Sequence, residues 1–359
     1  MTELSDLAAD LIAAAPPVHH LALAFPDTHV DVRSNDRAVL DALAAYYREF
    51  LRVAPAPPPH DRLEILALAE VLPEHTLDLI PKPPDPGKPL KEAFIDLQDG
   101  RLVGKQRTGV ALLMGEAHEI IAGPLAANID QVINFINHRV MQRWAQRGAC
   151  LAHAAAVARG ARGLALAGRS GAGKSTLALH LLAADPQLAF VSNDRLLLRQ
   201  GPHGPELRGI PKHPRVNPGT VLHNPALAPL LDDQERARYH AMPIDQLWAL
   251  EEKRDAVIDR LFGPGRFVLA AHTAALLLLN WRRGAGPARI RAIDLPGHPE
   301  LLPLLRKELG LFFWPLTSPS SEAADAALLA ALRGAPVYLA EGGVDFPAAV
   351  AFCRDLLRE

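Results

Sequence analysis

Gly168, Gly173, Lys174 and Ser175 stand at the fixed positions of G-x-x-x-x-G-K-[ST], in the run Gly163-Leu164-Ala165-Leu166-Ala167-Gly168-Arg169-Ser170-Gly171-Ala172-Gly173-Lys174-Ser175-Thr176. The pattern is built to hold phosphate. Glycines at 168, 171 and 173 let the backbone take a tight, partly left-handed path. Its N–H groups then point inward at phosphate oxygens, and a helix starting there adds its positive end. Lys174 is placed to reach the β- and γ-phosphates, and the Ser175 hydroxyl to sit on Mg²⁺. Both flanks fit. Gly163 to Ala167 reads as a buried strand and Ser175 to Ala184 as a helix packed on a sheet. Arg169, Ser170, Ala172 and Thr176 complete the nucleotide-binding set.

Such a loop needs a carboxylate to hold the metal or its waters, and two places compete. Asp194 ends the strand-like Leu188 to Val191 region, twenty residues after Lys174, about one helix and one strand further on. This puts it on the strand beside the loop's own. Asp294, in Ile293-Asp294-Leu295-Pro296-Gly297, forms the D-x-x-G with which GTPases sense a γ-phosphate. No N-K-x-D accompanies it to read guanine, and turns of this composition are common for conformational reasons alone. An ABC-type ATPase is disfavoured: there is no S-G-G-Q-like signature, and Asp194 comes too early.

These residues need a scaffold, and 359 residues suffice for about two domains. Hydrophobic residues are 49% and charged ones 22%, enough for a substantial core, and a net charge of -2 gives no reason to expect nucleic acid. Cys150 and Cys353 lie in apolar surroundings and suggest neither disulfide nor zinc, so a reducing, cytoplasmic setting is expected. The N-terminus has no basic region of a signal peptide, and the apolar run Phe267 to Trp281 is too short to span a bilayer, so no membrane is expected.

Helices are expected over residues 2–15, Ala38 to Arg52 and Ala126 to Arg147. Strands are expected at Leu21 to Phe25, His29 to Val32, Leu63 to Val71, Ala93 to Leu97, Leu102 to Arg107 and Val110 to Met114. Ala54 to Pro59 and Pro81 to Pro89 must be loops or stiff connectors. Residues 1–147 thus form an α+β N-terminal domain, and 148–359 an α/β nucleotide-binding domain. In the second, Cys150 to Arg159 reads as one strand and Pro243 to Phe262 as mostly helical, with Lys253, Arg254 and Asp255 on an exposed helix face. Pro211 to Pro218 is irregular. Ala274 to Trp281, Ala288 to Asp294 and Val337 to Ala340 are strands; Pro299 to Leu309, Glu322 to Leu332 and Phe346 to Leu357 are helices.

His153 in LAHAAAV, the loop GRSGAGKST and Ser192-Asn193-Asp194-Arg195 resemble the HPr kinase/phosphorylase family in order and spacing. Gln131 to Asn137, Pro214 to Thr220 and Leu276 to Arg282 resemble its HprK-related kinase B branch. The strong match covers 149–199 and a weaker one about 93–284. The resemblance implies the fold shared with phosphoenolpyruvate carboxykinase, whose P-loop sits in a mixed sheet with much antiparallel character. Composition alone would suggest a doubly wound sheet.

It also implies catalytic positions at Lys174, Asp194, His153 and Asn193, with metal at Ser175 and Asp194. The family carries an aspartate pair where this chain has Asn193-Asp194, and an amide cannot act as a base. Asp194 then binds metal with the base elsewhere, serves both tasks, or supports nucleotide binding without efficient transfer. His153 supports transition-state charge or proton movement. Glu206 follows Asp194 too soon to match the family's metal-ligating glutamate. Arg195, Arg215 and Asn217 are candidate substrate contacts, the last two on a proline-locked loop. The expected activity is ATP- and Mg²⁺-dependent phosphoryl transfer to a hydroxyl acceptor, a protein serine or a small molecule, by a chain that the resemblance implies is a homo-oligomer. The alternatives are a regulatory nucleotide-binding module and a GTPase-type switch using Asp294.

Overall fold

The computed structural model describes residues 3–52, 62–72, 78–84, 87 and 89–358. The expected loop at Ala54 to Pro59 lies outside them, as do Asp85, Pro86 and Lys88 of the second proline cluster. The chain divides into two compact units, residues 1–143 with 309–318, and residues 144–308 with 319–359.

The first unit is built on a mixed eight-stranded sheet. Its strands are β1 (His19–Phe25), β2 (Thr28–Ser34), β3 (Arg62–Leu68), β4 (Ile80–Pro81), β5 (Glu92–Leu97), β6 (Gly100–Lys105), β7 (Ala111–Gly115) and β8 (Glu119–Ala122). They lie in the order β1-β2-β3-β8-β7-β6-β5-β4, with β2–β3 and β3–β8 parallel. Helix α1 (Leu4–Ala14) buries Leu4, Leu7 and Leu11 against Leu66, Leu102 and Leu113 of the sheet. Asp99, in the β5–β6 turn, accepts from the Leu4 and Ser5 amides at 2.7 and 2.9 Å, satisfying donors that a helix start leaves open. Helices α2 (Arg37–Tyr46) and α3 (Ile129–Gln146) follow. Strand β8 was not expected from the sequence.

The second unit holds a nine-stranded sheet. Its first strands are β9 (Cys150–Ala152), β10 (Ala154–Arg159) and β11 (Arg162–Gly168), followed by helix α4 (Lys174–Ala184). Next come β12 (Leu188–Ser192), β13 (Leu196–Gly201) and β14 (Gly204–Arg208). A small ladder joins β15 (Arg215–Val216) to β16 (Arg254–Asp255); between them lie α5 (Pro218–Leu222), α6 (Asp233–His240) and α7 (Ile244–Ala249). The chain ends with α8 (Ile258–Phe262), β17 (Ala270–Leu279), β18 (Arg289–Ile293), α9 (Ser321–Ala331), β19 (Val337–Glu341) and α10 (Phe346–Arg358).

Strands β11, β17 and β19 run parallel, and the remaining pairs of the sheet are antiparallel, so it is mixed rather than doubly wound. One face, with Ala154, Ala156, Ala165, Leu276 and Leu278, shares a core with Leu301, Leu305 and Leu328. Helix α4 packs on β10, β11 and β12 and against α10. Small alanines on β10 and β11 let these layers close on the sheet.

Three expectations are corrected. Cys150 to Arg159 is two strands, broken at His153, because the His153 amide donates to the Leu305 carbonyl (2.7 Å) instead of continuing a ladder. Arg254 and Asp255 are not on a helix face. They form β16, paired through Arg215↔Asp255 and Val216↔Arg254, which satisfies backbone that a proline-rich loop cannot pair within itself. Pro299 to Leu309 is not an α-helix: a 3-10 segment spans Pro299–Leu304, since the Pro303 ring and missing N–H stop an α-helix from forming there.

Candidate functional site

The carboxyl ends of β11, β17 and β19 meet at one edge of the sheet, with the end of β12 and the start of β10 beside them. A cleft of about 880 Å³ opens there. Ligands of open α/β sheets bind at such carboxyl ends. All the candidate site residues weighed from the sequence, apart from Gly168, Glu206 and Asp294, line it.

Gly168 closes β11 opposite Leu279 of β17. Its φ is 154°, and a Cβ there would sit 2.7 Å from the Leu279 carbonyl oxygen. At Gly173, φ is 92° and a Cβ would meet the Phe346 ring at 2.7 Å. A side chain at either position is excluded twice, by conformation and by space. Between them the loop is braced by the Trp281 indole, whose Nε1 donates to the Ala172 carbonyl at 2.8 Å. Arg169 and Ser170 are exposed at the rim.

Lys174 begins α4 and folds back over the loop. Its ammonium donates to the carbonyls of Gly168 (2.8 Å) and Arg169 (3.2 Å). Burial pulls this ammonium down to about 8, with Lys307 adding to the shift and Asp194 opposing it. Ser175 follows in the first helical turn. The Thr176 hydroxyl is engaged elsewhere: it meets the Thr220 hydroxyl at 3.0 Å and ties the loop's helix to α5.

Asp194 faces this loop from the end of β12 and is half exposed. His153 Nε2 lies 3.1 Å from its Oδ1, and Lys307 Nζ donates to its Oδ2 at 2.8 Å. Burial opposes ionisation of Asp194. The hydrogen bonds and charges of His153 and Lys307 outweigh that and hold the carboxyl well below the usual range. His153 lines the cleft at the point where β9 and β10 break. The same segment carries Lys307, through the Leu305 bond and a bridge between Ala152 and Arg306. Beside Asp194, the Asn193 side-chain oxygen is buried without a partner.

Arg195 lies next along the chain; burial pulls its guanidinium down and Asp194 holds it up. Arg215 is exposed and pairs with Asp255 (3.3 Å), and the Asn217 side-chain oxygen is buried without a partner. Asp294 is not brought to the site: it follows the edge strand β18 and is not a lining residue. Glu206 is held by Arg199 and Arg208 at 3.0 and 3.1 Å, a structural pairing on β13 and β14.

Two residues escaped the sequence reading. Lys307 is 113 positions from Asp194 and belongs to no motif. Lys212 sits in the proline-rich loop, where charge alone is no signal. The cleft is lined by eight lysines and arginines against two carboxylates, Asp194 and Glu251. Among the described residues no cluster of three or more His, Cys, Asp or Glu side chains offers a protein-only metal site. Magnesium at nucleotides needs none, because it takes one or two protein oxygens and completes its shell with phosphate and water. A half-exposed Asp194, the Ser175 hydroxyl and the orphaned Asn193 oxygen suit that donor set. No helix among the described residues is long and apolar enough to cross a membrane.

No protein-family model matches the chain. Nor does any curated protein. Among solved structures it is similar to that of the Hpr(Ser) kinase/phosphatase from Coxiella burnetii, at 15% identity and a TM-score of 0.29, over 58% of this chain and 88% of that one. A superposition that loose carries nothing about the chemistry of this cleft.

Proposed function

We propose that this chain is an ATP- and Mg²⁺-dependent phosphotransferase of the HPr kinase-like type, moving the γ-phosphate to a hydroxyl acceptor. The observation that carries this reading is the loop itself. Lys174 is held over Gly168 and Arg169 by their backbone carbonyls, in a cationic cleft that Asp194 also lines. Nucleotide phosphates replace those two carbonyls as partners of the ammonium, and the amides of 169–175 enclose them. Magnesium held by Ser175 and Asp194 would draw charge from the β- and γ-phosphates.

The acceptor oxygen forms a bond to the γ-phosphorus while the bond from that phosphorus to the β–γ bridging oxygen breaks. The electron pair leaves on ADP. The hydroxyl proton passes to Nδ1 of His153, whose Nε2–H donates to Asp194, because Asp194, with its depressed carboxyl, is a poor base and a good anchor. Lys174 neutralises the charge that grows on the leaving oxygen.

Thermal melting with ATP-Mg²⁺ and GTP-Mg²⁺, on wild type and Lys174→Ala, tests the reading, followed by γ-labelled ATP and a cell extract. At a hundredfold excess over Kd, nucleotide stabilises the wild type by about 2.7 kcal/mol. That stabilisation disappears in Lys174→Ala, and label appears in an acceptor. No stabilisation by either nucleotide overturns the reading. Asn193, standing where a second carboxylate is expected, favours a second reading, a regulatory nucleotide-binding module. Stabilisation with neither hydrolysis nor labelled product would select it.

A further inference from the structure

The cleft carries more positive charge than a magnesium-bound triphosphate calls for. Lys174, Arg169 and the start of α4 already serve the nucleotide. A second group of cations, Arg195, Lys212 and Arg215, lines the same cleft from other elements. Arg195 adjoins Asp194 after β12. Lys212 and Arg215 lie on the loop Pro211 to Pro218, whose three prolines limit its freedom. That loop is fixed from several sides. The ladder of β15 with β16 holds it, Arg215 pairs with Asp255 and donates to the Lys253 carbonyl (3.3 Å), and α5 behind it is tied to the phosphate loop through Thr220–Thr176.

Lys212 therefore stands near two like charges, and burial followed by the fields of Arg195 and Arg215 pulls its ammonium down. Asp194 and Asp255 oppose this only in part, since each already serves other cations. A cleft wall lined by charges of one sign focuses the field that draws an anion in. On the same walls, apart from the Asn193 oxygen already counted with the metal donors, the Asn217 amide oxygen is buried without a donor. It suits a hydroxyl.

We propose that Arg195, Lys212 and Arg215 seat the anionic group of the phosphoacceptor, a small hydroxyl compound carrying a phosphate or a carboxylate. This rests on the phosphotransferase reading above. Anion and hydroxyl belong together because the cations adjoin Asp194, beside which the accepting oxygen must lie. A small molecule fits because Lys212 lies on an inner wall with the buried Ile210 and His213. The cleft, at about 880 Å³, is within the size of sites that enclose small ligands.

Calorimetric titration of full-length protein saturated with AMP-PNP-Mg²⁺ tests this, with glycerol 3-phosphate, glycerate and glycerol as probes. At least one of the two anionic compounds binds and glycerol does not; which of them binds tells phosphate from carboxylate. Lys212→Met weakens that binding about tenfold, the loss of one charge-assisted hydrogen bond, while AMP-PNP affinity stays close to wild type. Lys212→Arg restores most of it. Failure of both anions to bind, equal binding of glycerol, or indifference to Lys212→Met overturns the proposal and leaves the nucleotide reading standing. If AMP-PNP itself does not bind, the nucleotide reading fails and the acceptor seat falls with it. Label moving from ATP only into protein would overturn the small-molecule assignment.

Discussion

Two lysines decide how the site responds to its surroundings. Lys174 has a depressed ammonium near 8, with burial the main cause. Phosphates restore a normal or higher value. Above about pH 8, nucleotide binding therefore takes up a proton and weakens as pH rises. Well below that it takes up none. Calorimetry in buffers of different ionisation enthalpy reads the uptake, and one apparent enthalpy in all buffers above pH 8 would rule it out. In the same window the unfolded chain binds more protons at this site than the folded one, so Lys174 makes stability rise with pH. Lys307 acts through Asp194, whose Oδ2 it occupies at 2.8 Å. Metal reaching that oxygen displaces it. Lys307→Met therefore lowers the Mg²⁺ concentration for half-maximal nucleotide affinity. The change is a fewfold, because the pair is partly solvated. An unchanged or raised Mg²⁺ requirement would remove Asp194 from the metal site.

At the level of elements, the phosphate loop depends on close approach. Gly173→Ala puts a methyl against Phe346 at a left-handed backbone position. It should cost about 1–3 kcal/mol, read as a lower denaturation midpoint together with weaker nucleotide binding. A melt equal to wild type would mean that the loop adapts. These contacts also explain what the sequence made legible. Glycine spacing, the apolar strand before it and the helix after it are local signals, and residues 163–184 follow them closely. The break at His153 depends on the carbonyl of Leu305, more than a hundred residues away, so a continuous run of apolar residues gave no hint of it. Arg254 and Asp255 carry a charge pattern that suits a helix face; the partner that makes them a strand, Arg215–Val216, lies across three intervening helices in sequence. Lys307 joins the site through the same distant segment. Local chemistry was readable, and side chains delivered by tertiary contact were not.

For the whole molecule, the segment 309–318 matters most. It leaves the second unit's chain to complete the first unit, where Phe312 packs on His138 (4.8 Å between rings) and under the Lys105 ammonium (4.3 Å). Arg101 donates to the Leu311 carbonyl at 3.0 Å. A fragment of residues 1–143 lacks those partners. It should melt several degrees below the same fragment carrying 309–318 on a flexible linker, about what losing 1 kcal/mol does to a domain of that size. Circular dichroism melts decide it, and equal midpoints would show that the segment contributes nothing. The polypeptide thus passes from one unit to the other three times. A single crossover point in the gene yields two halves that each lack something: one is short of a stretch of core, and the other carries apolar residues with nowhere to bury. Recombination that shuffles domains as cassettes has no clean seam here.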